Sequence, residues 1–435
     1  MKTIVVNSRD QTRVPFLRGI LIRTLLDAGM PFDDAFDMAD RLRDHLSETD
    51  EIYTHELREL VHAELESYGD PSVFREFSAP LTAPSKIRVR CHAGTVTAFS
   101  RGRHQRYLQS SGVRLADAEP ITTRIFDQLL AAGAVEISTA ELGYLTWLCL
   151  RQELGEGPAR QYLLWSEFQL SARPMVLLIC GAVGSGKSSI ATEIAHRLEI
   201  VRTQSTDMLR EVMRTMMPKK LLPILHCSSF DAWKTLPLQD KKSRPRDLLI
   251  ADGYQGQAEL LAVPCEAVVK RAMRENVPLI LEGVHAHPDL LERFSTHSDA
   301  IVVHVTLAVM QADELKSRLR GRGTEEPHRH ARRYLKKFDS IWSLQSFLLA
   351  EAERCDTPII PNDDKEAAIF QIISTINAAL SDHFSGSPAD VFGPVVRRLG
   401  SQAEDKAWQL LVPALVNAVD GSVADDSGKP RRGIG

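Results

Sequence analysis

Two spacings of apolar residues alternate along the middle of the chain. Short, continuous apolar runs, of which Met175–Cys180 is the first, are followed by segments in which apolar residues recur every four positions, as Ile190, Ile194 and Leu198 do. The first pattern is typical of a buried strand and the second of one helix face. Further strand patterns lie at Val201–Gln204, Pro278–Leu281, Ala300–Thr306 and Thr357–Ile360. The alternation predicts an α/β domain in which helices cover both faces of a parallel sheet.

The N-terminal part of the chain has a different pattern and contains an internal repeat. Val14–Gly19 aligns with Thr97–Gly102, and after a small shift Thr54–Leu57 aligns with Thr139–Leu142. Each unit predicts a short strand or hairpin followed by amphipathic helices. Two unrelated helical segments that align by chance are the alternative interpretation.

These patterns divide the chain into four parts. We predict a first helical module, a second and more degenerate module, the α/β domain and a C-terminal tail, over residues 1–84, 85–170, 171–381 and 382–435. Pro80–Pro84 is the predicted linker between the two modules. In the tail, Ala403–Val416 fits one helix, and the last residues have a composition typical of disorder.

The composition is that of a globular protein with a buried core. Hydrophobic residues make up 43% of the 435 positions and charged residues 25%. The net charge of −4 gives no overall attraction to nucleic acid or to an anionic membrane. The six cysteines form no C-x-x-C pair, which indicates reduced thiols rather than disulfides or a zinc site. No signal-peptide core or long apolar run is found, so we expect a cytoplasmic protein.

One glycine-rich segment directly follows the first strand pattern. Gly181–Ser188 fits the phosphate-binding pattern G-x-x-x-x-G-K-[ST], and a helix pattern follows it. Glycines let backbone N–H groups approach phosphates, Lys187 would neutralise the β- and γ-phosphates, and the Ser188 hydroxyl would bind Mg²⁺. The predicted cofactors are therefore ATP and Mg²⁺. The predicted nucleotide-binding residues are Gly181, Ala182, Val183, Gly184, Ser185, Gly186, Lys187, Ser188 and Ser189.

Two carboxylates follow strand patterns, at the sheet edge where ligands of such folds bind. Glu282 comes directly after Pro278–Leu281, where it can hold Mg²⁺ through water or activate a nucleophile. Asp207 follows the second strand pattern and can accept a proton from an attacking hydroxyl. The alternatives are a structural acceptor for Glu282 and a helix-dipole carboxylate for Asp207. We predict Ser188 and Glu282 as metal ligands, and Lys187, Asp207 and Glu282 as catalytic residues.

The densest basic stretch is Lys316–Gly323, which contains Arg318, Arg320 and Arg322. Arginines beside glycines are typical of a lid that closes over ATP and clamps the transferring phosphoryl group, so Arg318 and Arg322 are further catalytic candidates. A solvated helix face with ion pairs is the alternative. Nucleic-acid binding is disfavoured because few aromatic residues are interleaved.

Three loops carry other polar candidates. His285 and His287 have no third residue at metal-ligand spacing, so we predict ordinary loop histidines. Ser228–Lys234 lies between the second and third strand patterns, where its two serines and its lysine are candidate anchors for an anionic acceptor. Pro361–Asp364 follows the last strand pattern and predicts either a contact with the adenine edge or an Asx turn.

Residues 175–380 resemble the 2-phosphoglycerate kinase family. The segments that carry the resemblance are Gly181–Ser188, Thr206–Met213, Ser228–Trp233, Leu281–His285 and Arg332–Phe338. The resemblance implies phosphorylation of 2-phosphoglycerate to 2,3-bisphosphoglycerate with ATP. The N-terminal module resembles the ATP-cone, a nucleotide-binding regulatory module, through Arg9-Asp10 and Val14–Phe16. The second module has Ala98-Phe99 but lacks the Arg-Asp pair, which puts nucleotide binding by that copy in doubt.

We therefore expect an ATP-dependent small-molecule kinase that acts on a small anionic acceptor. The alternatives are a kinase of the same fold that phosphorylates a nucleoside sugar or a polynucleotide, and a nucleotide-sensing regulator with a vestigial kinase site. The other expected partners are a regulatory (d)NTP at the first module and a second copy of the chain in a homo-oligomer. A membrane or nucleic-acid partner is not expected.

Overall fold

The computed structural model describes residues 3–6, 13–46, 49–78, 87–91, 94–290, 300–321, 333–400 and 406–416. The chain divides into two compact units. Unit 1 comprises Met1–Gln109, Val113–Leu163 and Gly386–Gly435, and unit 2 comprises Ser110–Gly112 and Leu164–Ser385. The four-part division drawn from the sequence stays a prediction.

Unit 1 contains two three-stranded sheets with the same topology. The strands are Ile4–Val6 (β1), Arg13–Pro15 (β2) and Glu51–Tyr53 (β3) in one sheet, and Arg88–Arg90 (β4), Val96–Ala98 (β5) and Glu136–Ser138 (β6) in the other. In each sheet the first strand lies in the middle, antiparallel to the second strand and parallel to the third. Val5 lies opposite Val14 in the first hairpin, and Val89 lies opposite Thr97 in the second. The shared topology agrees with the internal repeat in the sequence.

The helix after the third strand begins in the same way in both modules. Glu56 accepts a hydrogen bond of 2.9 Å from the backbone N–H of Tyr53, and Glu141 accepts one of 2.8 Å from that of Ser138. Such a bond satisfies an N–H group at the start of the helix. The repeated Thr-x-Glu-Leu sequence is therefore a helix start in both copies. The helices between residues 18 and 171 are Arg18–Asp27, Phe32–His45, Thr54–Tyr68, Pro71–Ser78, Arg101–Ser110, Leu115–Ala131, Thr139–Leu154 and Glu156–Ser171.

Two C-terminal helices, Pro388–Leu399 and Trp408–Val416, belong to unit 1 and pack on the helix Thr139–Leu154. The ring of Phe392 meets that of Tyr144 edge-on, with 6.1 Å between centroids. The single helix predicted over Ala403–Val416 is wrong at its start, because the helix begins at Trp408 where apolar residues enter the core. Residues 401–405 and 417–435, including the predicted disordered end, lie outside the described residues.

Unit 2 is built on a five-stranded parallel sheet. Its strands are Met175–Gly181 (β7), Arg202–Ser205 (β8), Leu279–Glu282 (β9), Ile301–Ala308 (β10) and Ile359–Pro361 (β11), in the order β11-β10-β7-β9-β8. Each of them lies within two residues of a strand expected from the apolar runs, and the predicted α/β class is confirmed. Strands β8 and β9 lie on one side of β7, and β10 and β11 lie on the other side. The carboxyl end of β7 is therefore at the switch point, where such sheets bind ligands.

Helices cover the sheet of unit 2. They are Lys187–Arg197, Thr206–Met216, Leu238–Ser243, Arg246–Arg274, Ala312–Gly321, Phe338–Arg354 and Lys365–Ser381, with 3₁₀ helices at Pro223–His226 and Ser229–Thr235. The central strand β7 is buried along its whole length, as expected for a strand covered on both faces. Among the described residues, no helix combines the length and the apolar character needed to span a bilayer.

Candidate active site

The glycine-rich loop joins β7 to the helix Lys187–Arg197. Gly184 and Gly186 have φ angles of +89° and +87°, which residues with a Cβ rarely adopt. A Cβ on Gly184 would lie 2.8 Å from Leu315 Cδ1, and one on Gly186 would overlap the side-chain amide of Asn362. Both the backbone conformation and the close neighbours therefore require glycine. The result is a compact loop at a helix N-terminus, the usual form of a phosphate-binding site.

The predicted lysine, serine and glutamate meet at this loop. Lys187 is 9% exposed, and its Nζ donates a hydrogen bond of 2.8 Å to the carbonyl of Ala182 on the opposite side of the loop. The exposed Ser188 donates from Oγ to Oε1 of Glu282 at 3.0 Å. Glu282 is the last residue of β9, which pairs with β7, and it is 7% exposed. The fold therefore brings an ammonium, a hydroxyl and a carboxylate to one edge of the sheet.

Asp207 lies on the same edge. Ser205 pairs with Glu282 across β8 and β9, and Asp207 follows in the first turn of the next helix. Its side chain is 59% exposed and forms an ion pair of 3.2 Å with Arg210. Its backbone N–H donates to Ser205 Oγ at 3.2 Å. This position is compatible with both roles predicted for Asp207, the proton acceptor and the helix-dipole carboxylate. An exposed carboxylate in the first helical turn can balance the dipole and still face an incoming acceptor.

A buried chain of hydrogen bonds runs from Arg210 to His285. The carbonyl of Cys227 accepts hydrogen bonds from Arg210 Nη1 at 2.9 Å and from Gln257 Nε2 at 3.1 Å. Gln257 Oε1 lies 2.8 Å from His285 Nε2, which must therefore be the donor. This chain of hydrogen bonds fixes Arg210, which is the ion-pair partner of Asp207.

His285 is a loop residue, as predicted, but it is fully buried. Burial lowers the pKa of His285 to about 3, so the ring is neutral. The charges of Asp207, Arg210 and Lys187 all lie near enough to contribute to that pKa. His287 is also buried, and its Nδ1 lies 2.7 Å from Asp289 Oδ1. Within the described parts of the chain, neither histidine belongs to a group of three or more metal-ligating side chains.

The predicted lid arginine Arg318 has a different position. Lys316–Gly321 forms the end of the helix Ala312–Gly321 rather than a flexible loop, because Leu319 is buried in the core. Arg318 Nη2 pairs with Glu314 Oε1 at 2.5 Å and also donates to the carbonyl of Asn362. Arg320 is exposed, and Arg322 lies outside the described residues. The described arginine is therefore bound to its own helix and to the loop residue Asn362, and its role as a phosphoryl clamp stays a prediction.

The candidate acceptor segment is a 3₁₀ helix, Ser229–Thr235, packed on the long helix Arg246–Arg274. A Cβ on Gly253 would lie 2.7 Å from the carbonyl carbon of Ala232, so the two backbones touch. Ser229 is buried, whereas Lys234 is exposed and pairs with Asp231 at 2.7 Å. Of the anchors proposed from the sequence, Ser229 is therefore closed to solvent.

The contact of Asn362 with the P-loop was not predicted from the sequence. Its Nδ2 donates a hydrogen bond of 2.8 Å to the carbonyl of Ser185, inside the P-loop. Two residues later Asp364 caps the next helix by accepting a hydrogen bond of 2.7 Å from the backbone N–H of Ala367. The contact with the adenine edge and its alternative, an Asx turn, both stay predictions. The only signal in the sequence was the position of Asn362 directly after the last strand. Arg210 lies in the resemblance segment Thr206–Met213 but was assigned no role from the sequence, and Gln257 gave no signal.

The fold and this site define a P-loop phosphotransferase, that is, a kinase of the α/β class. A family model described as an AAA domain matches residues 177–339. The 2-phosphoglycerate kinase of Methanopyrus kandleri is 36% identical over 283 residues, which cover 65% of this chain and 84% of that protein. The enzyme of the same name from Pyrococcus furiosus is 33% identical over 279 residues, covering 64% of this chain and 89% of the relative. The 2-phosphoglycerate kinase of Pyrococcus horikoshii is 30% identical over 293 residues, which cover 67% of this chain and 94% of that protein.

The chain therefore belongs to the 2-phosphoglycerate kinase family. Kinases of this family use ATP, which agrees with the nucleotide predicted from the P-loop.

Proposed function

We propose that the protein transfers the γ-phosphoryl group of ATP to the hydroxyl group of 2-phosphoglycerate. A bond forms between the hydroxyl oxygen and the γ-phosphorus, and the bond from that phosphorus to the β–γ bridging oxygen breaks. The products are 2,3-bisphosphoglycerate, ADP and the hydroxyl proton. The observation that carries the proposal is the 3.0 Å contact of Ser188 with Glu282 beside the P-loop, in a chain whose relatives bear the name of this activity.

In this proposal Gly181–Ser189 holds the triphosphate. Backbone N–H groups at the start of the helix point toward the phosphates, and Lys187 exchanges its bond to the Ala182 carbonyl for the β- and γ-phosphate oxygens. The ammonium stabilises charge that develops on the transferring group. Removing one such electrostatic contact typically lowers kcat by about 10² to 10³.

Ser188 and Glu282 fit a Mg²⁺ ion. Magnesium takes hard oxygen ligands and commonly binds one or two carboxylates together with substrate phosphates and water. A hydroxyl and a carboxylate 3.0 Å apart beside the phosphate loop supply such a donor set. When bound there, Mg²⁺ would neutralise charge on the β- and γ-phosphates.

On the acceptor side we propose that Asp207 orients the hydroxyl and receives its proton. Its carboxylate is exposed at the edge that carries Glu282, and Arg210 holds it in place. For the arginines, we propose that Arg318 positions the P-loop through Asn362, and that Arg322 clamps the transferring phosphoryl group.

The test is an assay of ADP formation with Mg·ATP and 2-phosphoglycerate, with phosphorus NMR of the product. We expect ADP release that depends on the acceptor, and a product with two phosphate monoesters. In Lys187→Ala the rate should fall at least about 100-fold, whereas the exposed Lys219→Ala should match the wild type.

Two results would contradict the proposal in different ways. ADP release with a nucleoside sugar or polynucleotide but not with 2-phosphoglycerate would point to another acceptor. Persistence of the biological function in Lys187→Ala would point to a regulator with a vestigial site.

We also propose that the first module of unit 1 binds a regulatory (d)NTP and that binding changes the assembly of the chain. The support is its sheet of a hairpin plus one parallel strand, together with the ATP-cone resemblance; Arg9 and Asp10 lie outside the described residues. The test uses the full chain carrying Lys187→Ala, which weakens the kinase site. Calorimetry should still show nucleotide binding, and sedimentation should change with nucleotide. No binding and unchanged sedimentation would refute this role.

A further inference from the structure

Two segments that are far apart in the sequence meet in unit 2. The 3₁₀ helix Ser229–Thr235 lies against the residues that precede the helix Phe338–Arg354. The rings of Phe230 and Tyr334 are in edge-on contact, with 6.1 Å between centroids. Both segments also carry motifs of the family resemblance that the proposed mechanism leaves without a role.

The contact places two lysines on one carboxylate. Asp231 Oδ1 lies 2.7 Å from Lys234 Nζ and 3.4 Å from Lys337 Nζ. The carboxylate is largely buried, with 13% of its side chain exposed, whereas the ammonium groups reach solvent. Asp231 thus holds two ammonium groups side by side at the surface.

The two ammonium groups are close enough to oppose each other. The neighbouring Lys234 is the main cause that lowers the pKa of Lys337, since two like charges in contact disfavour each other. For Lys234, desolvation acts to lower the pKa, but interactions that include the hydrogen bond to Asp231 together outweigh it, so the pKa is raised. A further anion that contacts both ammonium groups would relieve this repulsion.

The aromatic rings beside the lysine pair belong to an apolar cluster that also contains a P-loop residue. Phe230 and Tyr334 belong to one apolar cluster with Ala182, whose carbonyl accepts the hydrogen bond from Lys187. The same cluster contains Val284, two residues after Glu282. The P-loop, the loop after Glu282 and the two lysine-bearing segments therefore all contribute to one apolar cluster.

We propose that Lys234 and Lys337 bind the phosphate group that the acceptor already carries, the one that is not transferred. The inference rests on the proposed function and specifies it: the acceptor is a phosphate monoester, and this dianionic group is recognised by the lysine pair. Asp231 is a positioning residue that holds the two ammonium groups together.

The experiment compares two acceptors in Lys234→Gln and Lys337→Gln. With 2-phosphoglycerate we expect KM to rise about tenfold in each variant, the size of effect typical of losing one charge-assisted hydrogen bond. With glycerate, which lacks the phosphate, kcat/KM should stay within about twofold of the wild type. Lys336→Gln is the matched control, because Lys336 is the exposed neighbour of Lys337. Acceptor-independent ATP hydrolysis should be unchanged in all variants, which reports an intact nucleotide site.

A merely structural role for the lysines predicts a different outcome. If they serve only to neutralise Asp231, the triple variant Asp231→Asn, Lys234→Gln, Lys337→Gln should regain the wild-type KM for 2-phosphoglycerate. Our proposal predicts that this variant stays impaired. Rescue in the triple variant, or equal losses with glycerate and 2-phosphoglycerate, would overturn the inference.

The failure of this inference can be told from failure of the proposed function. If the wild type phosphorylates 2-phosphoglycerate but the lysine variants keep its KM, only the inference is wrong. If the wild type does not use 2-phosphoglycerate, the proposed function is wrong, and competition by inorganic phosphate against the true acceptor still tests the pair. Inhibition should then weaken about tenfold in Lys337→Gln and not in Lys336→Gln, and equal inhibition would refute the site.

Discussion

Asn362→Ala is expected to weaken ATP binding although Asn362 needs no contact with ATP. The side chain is 5% exposed, and its Nδ2 donates to the Ser185 carbonyl at 2.8 Å. Its backbone is fixed at both ends, since its N–H donates to the carbonyl of Ala308 at 2.9 Å and its carbonyl accepts from Arg318. The side-chain amide is therefore held in a fixed position from which it binds the Ser185 carbonyl of the P-loop.

The size of the effect follows from the bond that is lost. Truncation leaves the Ser185 carbonyl without this donor, and an unsatisfied buried acceptor costs about 1–3 kcal/mol. If ATP must hold the loop in the same form without this support, its affinity falls between about 5-fold and about 150-fold. We expect a value near the lower part of this range, about tenfold, because water can reach part of the loop in the variant.

The assay is calorimetric titration of the full chain with a non-hydrolysable ATP analogue, together with KM for ATP. Asp363→Ala is the matched control, because Asp363 is the exposed next residue in the same loop. Asn362→Asp should be more severe than Asn362→Ala, since a carboxylate oxygen would face the Ser185 carbonyl. Equal affinities in Asn362→Ala and Asp363→Ala would refute the supporting role.

Three other predictions follow from packing and protonation. Leu411→Ala should destabilise unit 1 by about 3 kcal/mol in denaturant unfolding, because Leu411 is 4% exposed, whereas Leu410→Ala on the same helix should change it by less than about 0.5 kcal/mol, because Leu410 is 71% exposed; equal effects would contradict the packing of that helix. Burial lowers the pKa of His104 to about 4, below its value near 6.5 in the unfolded chain. The stability contributed by neutral His104 is thus fully present above pH 6.5 and is lost as the pH falls toward 4. In His104→Gln the free energy of unfolding should therefore fall less over this pH window. Gly283→Ala should lower kcat/KM at least tenfold, because its φ is +149° and a Cβ would overlap Thr206 Oγ1 beside Asp207, and an unchanged value would show that this contact is dispensable.

The sequence was sufficient to predict the sheet of unit 2 and the ends of its strands. Apolar runs and a glycine pattern are local signals, and Glu282 could be placed because it ends such a run. The pairing of Ser188 with Glu282 followed from the rule that the carboxyl ends of parallel strands share one edge. What local patterns could not give are contacts between distant segments, such as Asn362 with Ser185 or Lys337 with Asp231.

Contacts between distant segments also decide the conformation of Lys316–Gly321, where the sequence predicted a flexible lid. Arginines and glycines in Lys316–Gly323 are compatible with a loop, but Leu315 and Leu319 have the spacing of a helix face and are fully buried. Burial of this face fixes the helix and directs Arg318 toward Glu314 and Asn362. Tertiary packing therefore decides the role of this arginine, whereas its local sequence does not.

The two modules of unit 1 share one topology, but the helix after the third strand is buried to different extents in the two. In the first copy the helix Thr54–Tyr68 has two fully buried residues, Val61 and Leu65, and three partly buried ones that pack on the module's own apolar clusters, Leu57, Leu60 and Tyr68. In the second copy the helix Thr139–Leu154 is buried on all sides, since the C-terminal helices cover the face that the rest of the module leaves open. The part of this helix that is buried on every side, Gly143–Leu150, needs such a cover, and Gly143 leaves the space that the ring of Phe392 occupies. Arg398 adds an ion pair of 2.7 Å to Glu141, which ties this cover to the helix start. The second copy has thus become an anchor for the C-terminal part of the chain, and this argues that the proposed regulatory nucleotide belongs to the first copy.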